Sequence, residues 1–318
     1  MKNWKSYLMI SLVIVLASAH SQADAEILPA NSFNKLEKQV LSLGQKGIKE
    51  TLIVMDDDDT LTMMPCDDQK KPEKCQYLGG PAWYSWQSDL IKNNSPSAFR
   101  VAKTDSELLD ISALLLAMND MPYTDNIIPG VLHELTQKGA KLLVLTARGE
   151  SNLSATESQF ANLYMTDAKS QKFLSFMQAN SLVGRQSGIS SIAGPITPAD
   201  CGATRPIAYQ QGIMYVAGQN KGEMLQCLLS RTKSEQIKNI VFIDDTLQNV
   251  EDVYTAFEES KDHTVYAYHY TRLEAHKNAL TEEQGKEKEN AYQKIANERW
   301  LKIKASLENT LQQPAAIK

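Results

Sequence analysis

Two kinds of segment alternate along the chain. Short unbroken apolar runs occur at TLIVM (51–55), KLLVLTA (141–147) and NIVFIDD (239–245). Runs of that length suit strands buried on both faces of a sheet. HTVYAYHY (263–270) reads as a further strand, and GIMYVAG (212–218) as another candidate. Between them the apolar period lengthens. Phe33, Leu36, Val40 and Leu43 recur at helical spacing and predict an amphipathic helix over 32–46. Thr104-Asp105-Ser106-Glu107 is a capping box that opens a helix through ELLDISALLLAM. VLHELTQK and the spans 152–180, 221–231 and 247–259 also read as helices. Residues 62–103 are polar, rich in Pro, Asn and Ser, and read as loop; residues 181–211 are mixed, with Gly and Pro signals. The tail, roughly 281–312, reads as a charged helix with a solvated face. Strands alternating with helices predict an α/β fold, a Rossmann-like parallel sheet with helices on both faces. In such sheets ligands sit at the carboxyl ends of the strands.

The first residues have a different pattern. Lys2 and Lys5 precede an apolar run, Leu8 to Ala19, which is shorter than the roughly 20 residues of a membrane span. Small residues follow, so residues 1–25 read as a signal peptide cleaved after Ala19 or after Ala25, with an uncleaved anchor as the alternative. No membrane span is expected in the mature chain, and the location expected is periplasmic or secreted. The four cysteines agree with export, because an even count outside the leader permits disulfides. Cys66 and Cys75 bracket a polar loop and are the easier pair to close; Cys201 and Cys227 remain. The 318 residues are 42% hydrophobic and 22% charged, which excludes a disordered chain and a multi-span membrane protein. A net charge of -5 gives no reason to expect nucleic acid as a partner.

Three predicted strands end in chemistry-bearing residues. The run 51–55 leads into Asp56-Asp57-Asp58-Asp59-Thr60-Leu61, the run 141–145 into Thr146-Ala147-Arg148, and the run 239–243 into Asp244-Asp245, with Asn249 a turn later. Crowded carboxylates repel one another unless a cation compensates them. Oxygen donors with few His or Cys nearby suggest Mg2+. An EF-hand is a poor match, since its sixth position needs Gly and here holds Leu61. Taken singly, Thr146 and the Asp244-Asp245 pair could each be a helix cap. Trp83, Tyr84 and Trp86 suit packing or stacking on a substrate. His133, His263, His269 and His276 have no metal-ligand spacing and read as structural.

The order and spacing of these residues resemble the haloacid dehalogenase (HAD) superfamily of phosphohydrolases, over residues 48–270. Asp56 to Leu61 match its first motif, a strand followed by D-x-D-x-T-L. LLVLTAR with Thr146 matches the second, Lys221 in QNKGEML the third, and FIDDTLQN with Asp244, Asp245 and Asn249 the fourth. The chain is similar to the exported acid phosphatases with paired motif aspartates, and closer still to a family of uncharacterised exported bacterial HAD-like proteins. The resemblance implies a core over 26–61 and 142–280, a mainly helical cap inserted over 62–141, a second insertion at about 181–211 and a charged C-terminal helix over 281–318. Seventy-two residues separate Arg148 from Lys221, so Lys169 and Lys172 compete with Lys221 for the third motif.

The resemblance also implies roles. Asp56 would be the nucleophile and Asp58 the acid/base, with the side chain of Asp57 pointing away. Mg2+ would be held by Asp56, the Asp58 carbonyl, Asp245 and Asp244, with Asp245 ranked first of the last two and Asn249 supporting them. Thr146 and Lys221 would hold phosphoryl oxygens. Arg148 would either clamp a substrate phosphate or pair with an acid. The expected function is exported Mg-dependent hydrolysis of a small phosphate monoester. The alternative is a non-catalytic phosphate- or metal-binding, or host-interaction, protein on the same scaffold.

Overall fold

The computed structural model describes residues 27–165, 171–182, 201–281 and 289–312. The expected leader, Lys169 and residues 183–200 of the expected second insertion lie outside the described residues. The elements run β1 (Leu28–Ala30), α1 (Asn34–Ser42), α2 (Gly44–Lys49), β2 (Thr51–Met55), α3 (Pro81–Lys92), α4 (Asp105–Met118), α5 (Ile128–Gln137) and β3 (Lys141–Thr146). They continue with α6 (Leu153–Asn162), α7 (Phe173–Asn180), β4 (Ala208–Gln210), β5 (Ile213–Tyr215), α8 (Lys221–Arg231), β6 (Asn239–Asp244), α9 (Leu247–Phe257), β7 (Thr264–Tyr270), α10 (Glu274–Thr281) and α11 (Ala291–Gln312).

Seven strands form one sheet in the order β1-β7-β6-β2-β3-β5-β4. Neighbours are parallel except β4 and β5, which pair antiparallel. Strand alternation sends consecutive residues to opposite faces. Ile53, Met55, Leu142 and Val144 pack on one face with Leu36 and Val40 of α1, Leu132 and Leu135 of α5, and Phe160 and Phe173. Leu52, Val54, Leu143 and Leu145 pack on the other with Leu225 and Leu228 of α8 and Val250 and Val253 of α9. Both faces are therefore covered, which is why Leu52 to Met55 of β2 include no polar residue to mark an exposed side. This is the α/β architecture expected. No helix among the described residues is long and apolar enough to cross a membrane.

Several boundaries differ from the expected ones. The helix expected over 32–46 divides at Gly44, whose φ of +68° ends α1 before α2 starts. The span 152–180 divides into α6 and α7. Residues 62–103 are not all loop, because α3 lies within them. Its inward face holds Gln87 and Ser88 beside Ala82 and Trp83, so its apolar period is interrupted. Gln87 is satisfied there, donating to the Phe99 carbonyl at 3.0 Å and accepting from the Val101 amide at 3.0 Å.

A third apolar cluster lies off the sheet. It joins Tyr77, Leu78, Trp83, Leu108 and Leu115 of the inserted segment to Leu280, Ala296 and Trp300 of the last two helices. The C-terminal helix is therefore more than a solvated face: it buries Ala296, Asn297 and Trp300. Its charges sit on the remaining positions and hide the narrow apolar stripe. α5, expected inside the insertion, packs instead in the sheet's own helical layer. Disulfides join Cys66 to Cys75 and Cys201 to Cys227.

Candidate active site

Strand register brings three strand ends to one edge. Met55 lies opposite Ile243 and Val144, and the Asp56 amide donates to the Ile243 carbonyl at 3.0 Å. Asp56 therefore continues the sheet between Asp244 and the end of β3. After it the chain turns sharply. The Asp57 carbonyl accepts from the amides of Leu61 and Thr62, each at 2.9 Å, and the Asp59 amide donates to the Thr62 carbonyl at 2.7 Å. Asp59 sits in the left-handed region, φ 61°, which Asp tolerates better than most residues.

Lys221 opens α8 and is completely buried. Its Nζ lies 2.5 Å from Asp56 Oδ1 and 2.7 Å from Asp244 Oδ2. Gly222 lets α8 pack closely on α9: a Cβ there would fall 2.2 Å from the Asp252 carbonyl. Asn249 Nδ2 donates to both Asp244 oxygens at 3.1 Å, and the Thr246 amide donates to Asp244 Oδ1 at 2.8 Å. Asp244 thus both caps the turn into α9 and faces the lysine.

Arg148 is buried against the same turn. Its Nε and one terminal nitrogen each donate to an Asp58 oxygen at 2.8 Å. Its other terminal nitrogen donates to Thr156 and Gln159 at 2.8 Å and lies 3.2 Å from Asp57 Oδ2. Of the two roles open for Arg148, pairing with acids is the one seen. The buried hydroxyl of Thr146 accepts the Arg148 amide at 3.2 Å. The Asp57 carboxylate is buried and accepts from Thr62 Oγ1 at 2.7 Å. Lys172 opens α7, a helix of the sheet's outer layer.

The pattern of residues assigns no role to Asp59 or Thr60 and does not mark Lys277. Lys277, from α10, donates to Asp245 Oδ2. Thr60 Oγ1 accepts the Asp245 amide at 2.9 Å. Lys277 follows Asp245 by 32 residues on a short polar helix, and no local spacing marks it. Asp59 is buried with Oδ2 unpartnered; in the sequence it is one acid among four.

Burial governs the electrostatics. It pushes the Asp56 carboxyl well above the usual range; Lys221 opposes this, and Asp244, Asp245 and Asp58 add to it. Asp59 is pushed up well above its usual value by burial and then by Asp245, and Asp245 by burial against Lys277. Burial alone would lower Lys221, but Asp244 and Asp56 outweigh it and hold the ammonium charged.

Carboxylate oxygens of Asp56, Asp244 and Asp245 lie within 4.8 Å of one another. That all-oxygen donor set fits a hard divalent cation such as Mg2+. Six aspartates here share three cations, Arg148, Lys221 and Lys277, so the site retains room for further positive charge.

A family model described as "Protein of unknown function (DUF2608)" matches residues 30–309. No curated protein matches the chain. Among solved structures, a crystal structure of cytosolic 5'-nucleotidase IIIB bound to cytidine is similar. It is 11% identical, with 85% of this chain and 92% of that one covered, at a TM-score of 0.29. A superposition that loose leaves the chemistry to this chain's own residues.

Proposed function

The chain belongs to that family, whose model spans most of its length, and we propose that it is an exported, Mg2+-dependent phosphatase acting on small phosphate monoesters. The observation that carries this reading is the buried contact of Lys221 with both Asp56 and Asp244. It draws a prospective nucleophile, a phosphate-binding cation and a metal-ligating acid into one cluster, at the sheet edge where such folds bind ligands. Export rests on the two disulfides, which fit an oxidising compartment, and on the apolar leader read from the sequence.

In this reading an Asp56 oxygen attacks phosphorus, the ester P–O bond breaks and an aspartyl-phosphate forms. Asp58 gives its proton to the departing alkoxide. It then takes one from the water that attacks the aspartyl-phosphate, releasing phosphate and restoring Asp56. Lys221 and the Thr146 hydroxyl hold the phosphoryl oxygens. Arg148 orients Asp58 through its two-pronged contact. A Mg2+ held by Asp56, the Asp58 carbonyl, Asp244 and Asp245 would offset phosphoryl charge when bound.

One observation favours a second reading, a phosphate- or metal-binding protein without turnover: both Asp58 oxygens are taken by Arg148. Hydrolysis of an aryl phosphate, with Mg2+ and with EDTA, separates the two. The phosphatase turns over only with Mg2+, loses activity with Asp56→Asn, and slows about 10²–10⁴-fold with Asp58→Asn. That second loss is smallest for leaving groups that need no proton. Mg2+ binding with no turnover of any ester selects the binding protein.

A further inference from the structure

Beside the acidic cluster lies a small cavity that no role above uses. Asp59, Met64, Gln76, Tyr77 and His276 line it, and at about 10 Å³ it has room for one water-sized group. Three polar side chains around it are buried and unpartnered: Asp59 Oδ2, the Tyr77 hydroxyl and His276 Nδ1. Buried polar atoms are satisfied in the great majority of cases, so three orphans on one small cavity mark a place where a polar group belongs. All three are held in place. The Tyr77 and His276 rings stack at 4.3 Å with 11° between planes, and Asp59 is fixed in the left-handed turn.

We propose that this cavity is a subsite for a hydroxyl group on the leaving group of the substrate, so that the preferred esters are phosphates of polyols or sugars; this rests on the phosphatase reading. The charges around the cavity select the class. Asp245, adjacent to the cavity, repels an anion. Lys277, paired with Asp245 and close enough to act on Asp59, repels an ammonium. Burial, and then Lys277, lowers His276 to about 4, so the ring is neutral at pH 7. A neutral hydroxyl fits, because it donates to Asp59 while accepting from Tyr77. Asp59 belongs to the turn that begins at Asp56, which sets the subsite alongside the reacting phosphate. α10 supplies residues to both places, His276 to the cavity and Lys277 to Asp245.

The test compares glycerol phosphate with propyl phosphate, which lacks hydroxyls, using an aryl phosphate as reference. The wild-type protein is expected to favour glycerol phosphate by about tenfold or more in kcat/KM, the size of one hydrogen bond to a buried group. Tyr77→Phe preserves the ring stack and removes one hydroxyl; Asp59→Asn preserves shape and replaces the carboxyl with an amide. Each is expected to reduce the preference several-fold. Equal use of the two alkyl esters, with the aryl ester still hydrolysed, overturns the subsite alone and leaves the cavity to a structural water. A preference unchanged in both variants also overturns it. No turnover of any ester overturns the subsite together with the phosphatase reading.

Discussion

Replacing Lys221 with methionine tests the central contact most directly. The substitution keeps an unbranched side chain of similar length and removes the charge between Asp56 and Asp244. The lysine and Asp244 side chains are 0% exposed and that of Asp56 is 6% exposed. An exposed ion pair of this kind would be worth no more than about 1 kcal/mol. Removing one partner of a buried pair costs about 3–5 kcal/mol, because a charge is left without compensation. Here the lower end applies. Asn249 and the Thr246 amide still serve Asp244, and burial already biases Asp56 towards protonation. A loss near 3 kcal/mol corresponds to roughly 4–5 °C in melting temperature for a chain of this size. Denaturant unfolding of wild type, Lys221→Met, Asp244→Asn and the double variant measures it. The double variant should be more stable than the two single losses predict, by about 1–3 kcal/mol. Mg2+ should narrow the gap between Lys221→Met and wild type, since it restores positive charge to the same carboxylates. A loss below about 1 kcal/mol, well under the buried-pair range, or a gap that widens with Mg2+, would refute the reasoning.

Asp57→Asn should retain the most turnover of the first three aspartate variants, yet lose about 1–3 kcal/mol of stability. Its carboxylate is buried between Thr62 and Arg148; parallel unfolding and hydrolysis assays check both halves. His276 gives an acid-linked loss. Its folded value of about 4 lies below the unfolded 6.5, so the unfolded chain binds more protons as pH falls through that window. About 3 kcal/mol should disappear between pH 6.5 and 4, and unfolding curves for His276→Phe should show a shallower decline there. Thiol counting on denatured, unreduced protein should find no free thiol. Reduction should cost about 2.5 kcal/mol for the Cys66–Cys75 loop and about 3.5 for Cys201–Cys227, from loop spans of 9 and 26 residues.

The sheet was legible because buried strands leave an unbroken apolar run, and β2, β3 and β6 end where their polar residues begin. β1 is only three residues long, too short to carry a period, and it is held at the sheet edge by pairing with β7. α3 was hidden by polar residues on its inner face, whose hydrogen bonds only the folded chain reveals. The strand-end residues could be read because each stands next to its strand. Lys221 was harder, since only the helix, strand and Asp244 motif that follow it favour it over Lys172; in the fold, complete burial between two carboxylates distinguishes it. Lys277, Asp59 and the cavity under Tyr77 depend on packing between segments remote in sequence, which no periodicity records.

The spacing of charges also bears on how the chain must be made. Asp56 leaves the ribosome 165 residues before Lys221, and Lys277 follows later still. During synthesis the acidic turn has Arg148 to pair with, but neither lysine. Burying Asp56 at that stage would cost the desolvation of an uncompensated carboxylate. The central strand is thus among the earliest parts synthesised and its end among the last that can close. A nascent chain halted before α8 should keep this turn in water, accessible to a carboxyl-modifying reagent that the finished protein excludes.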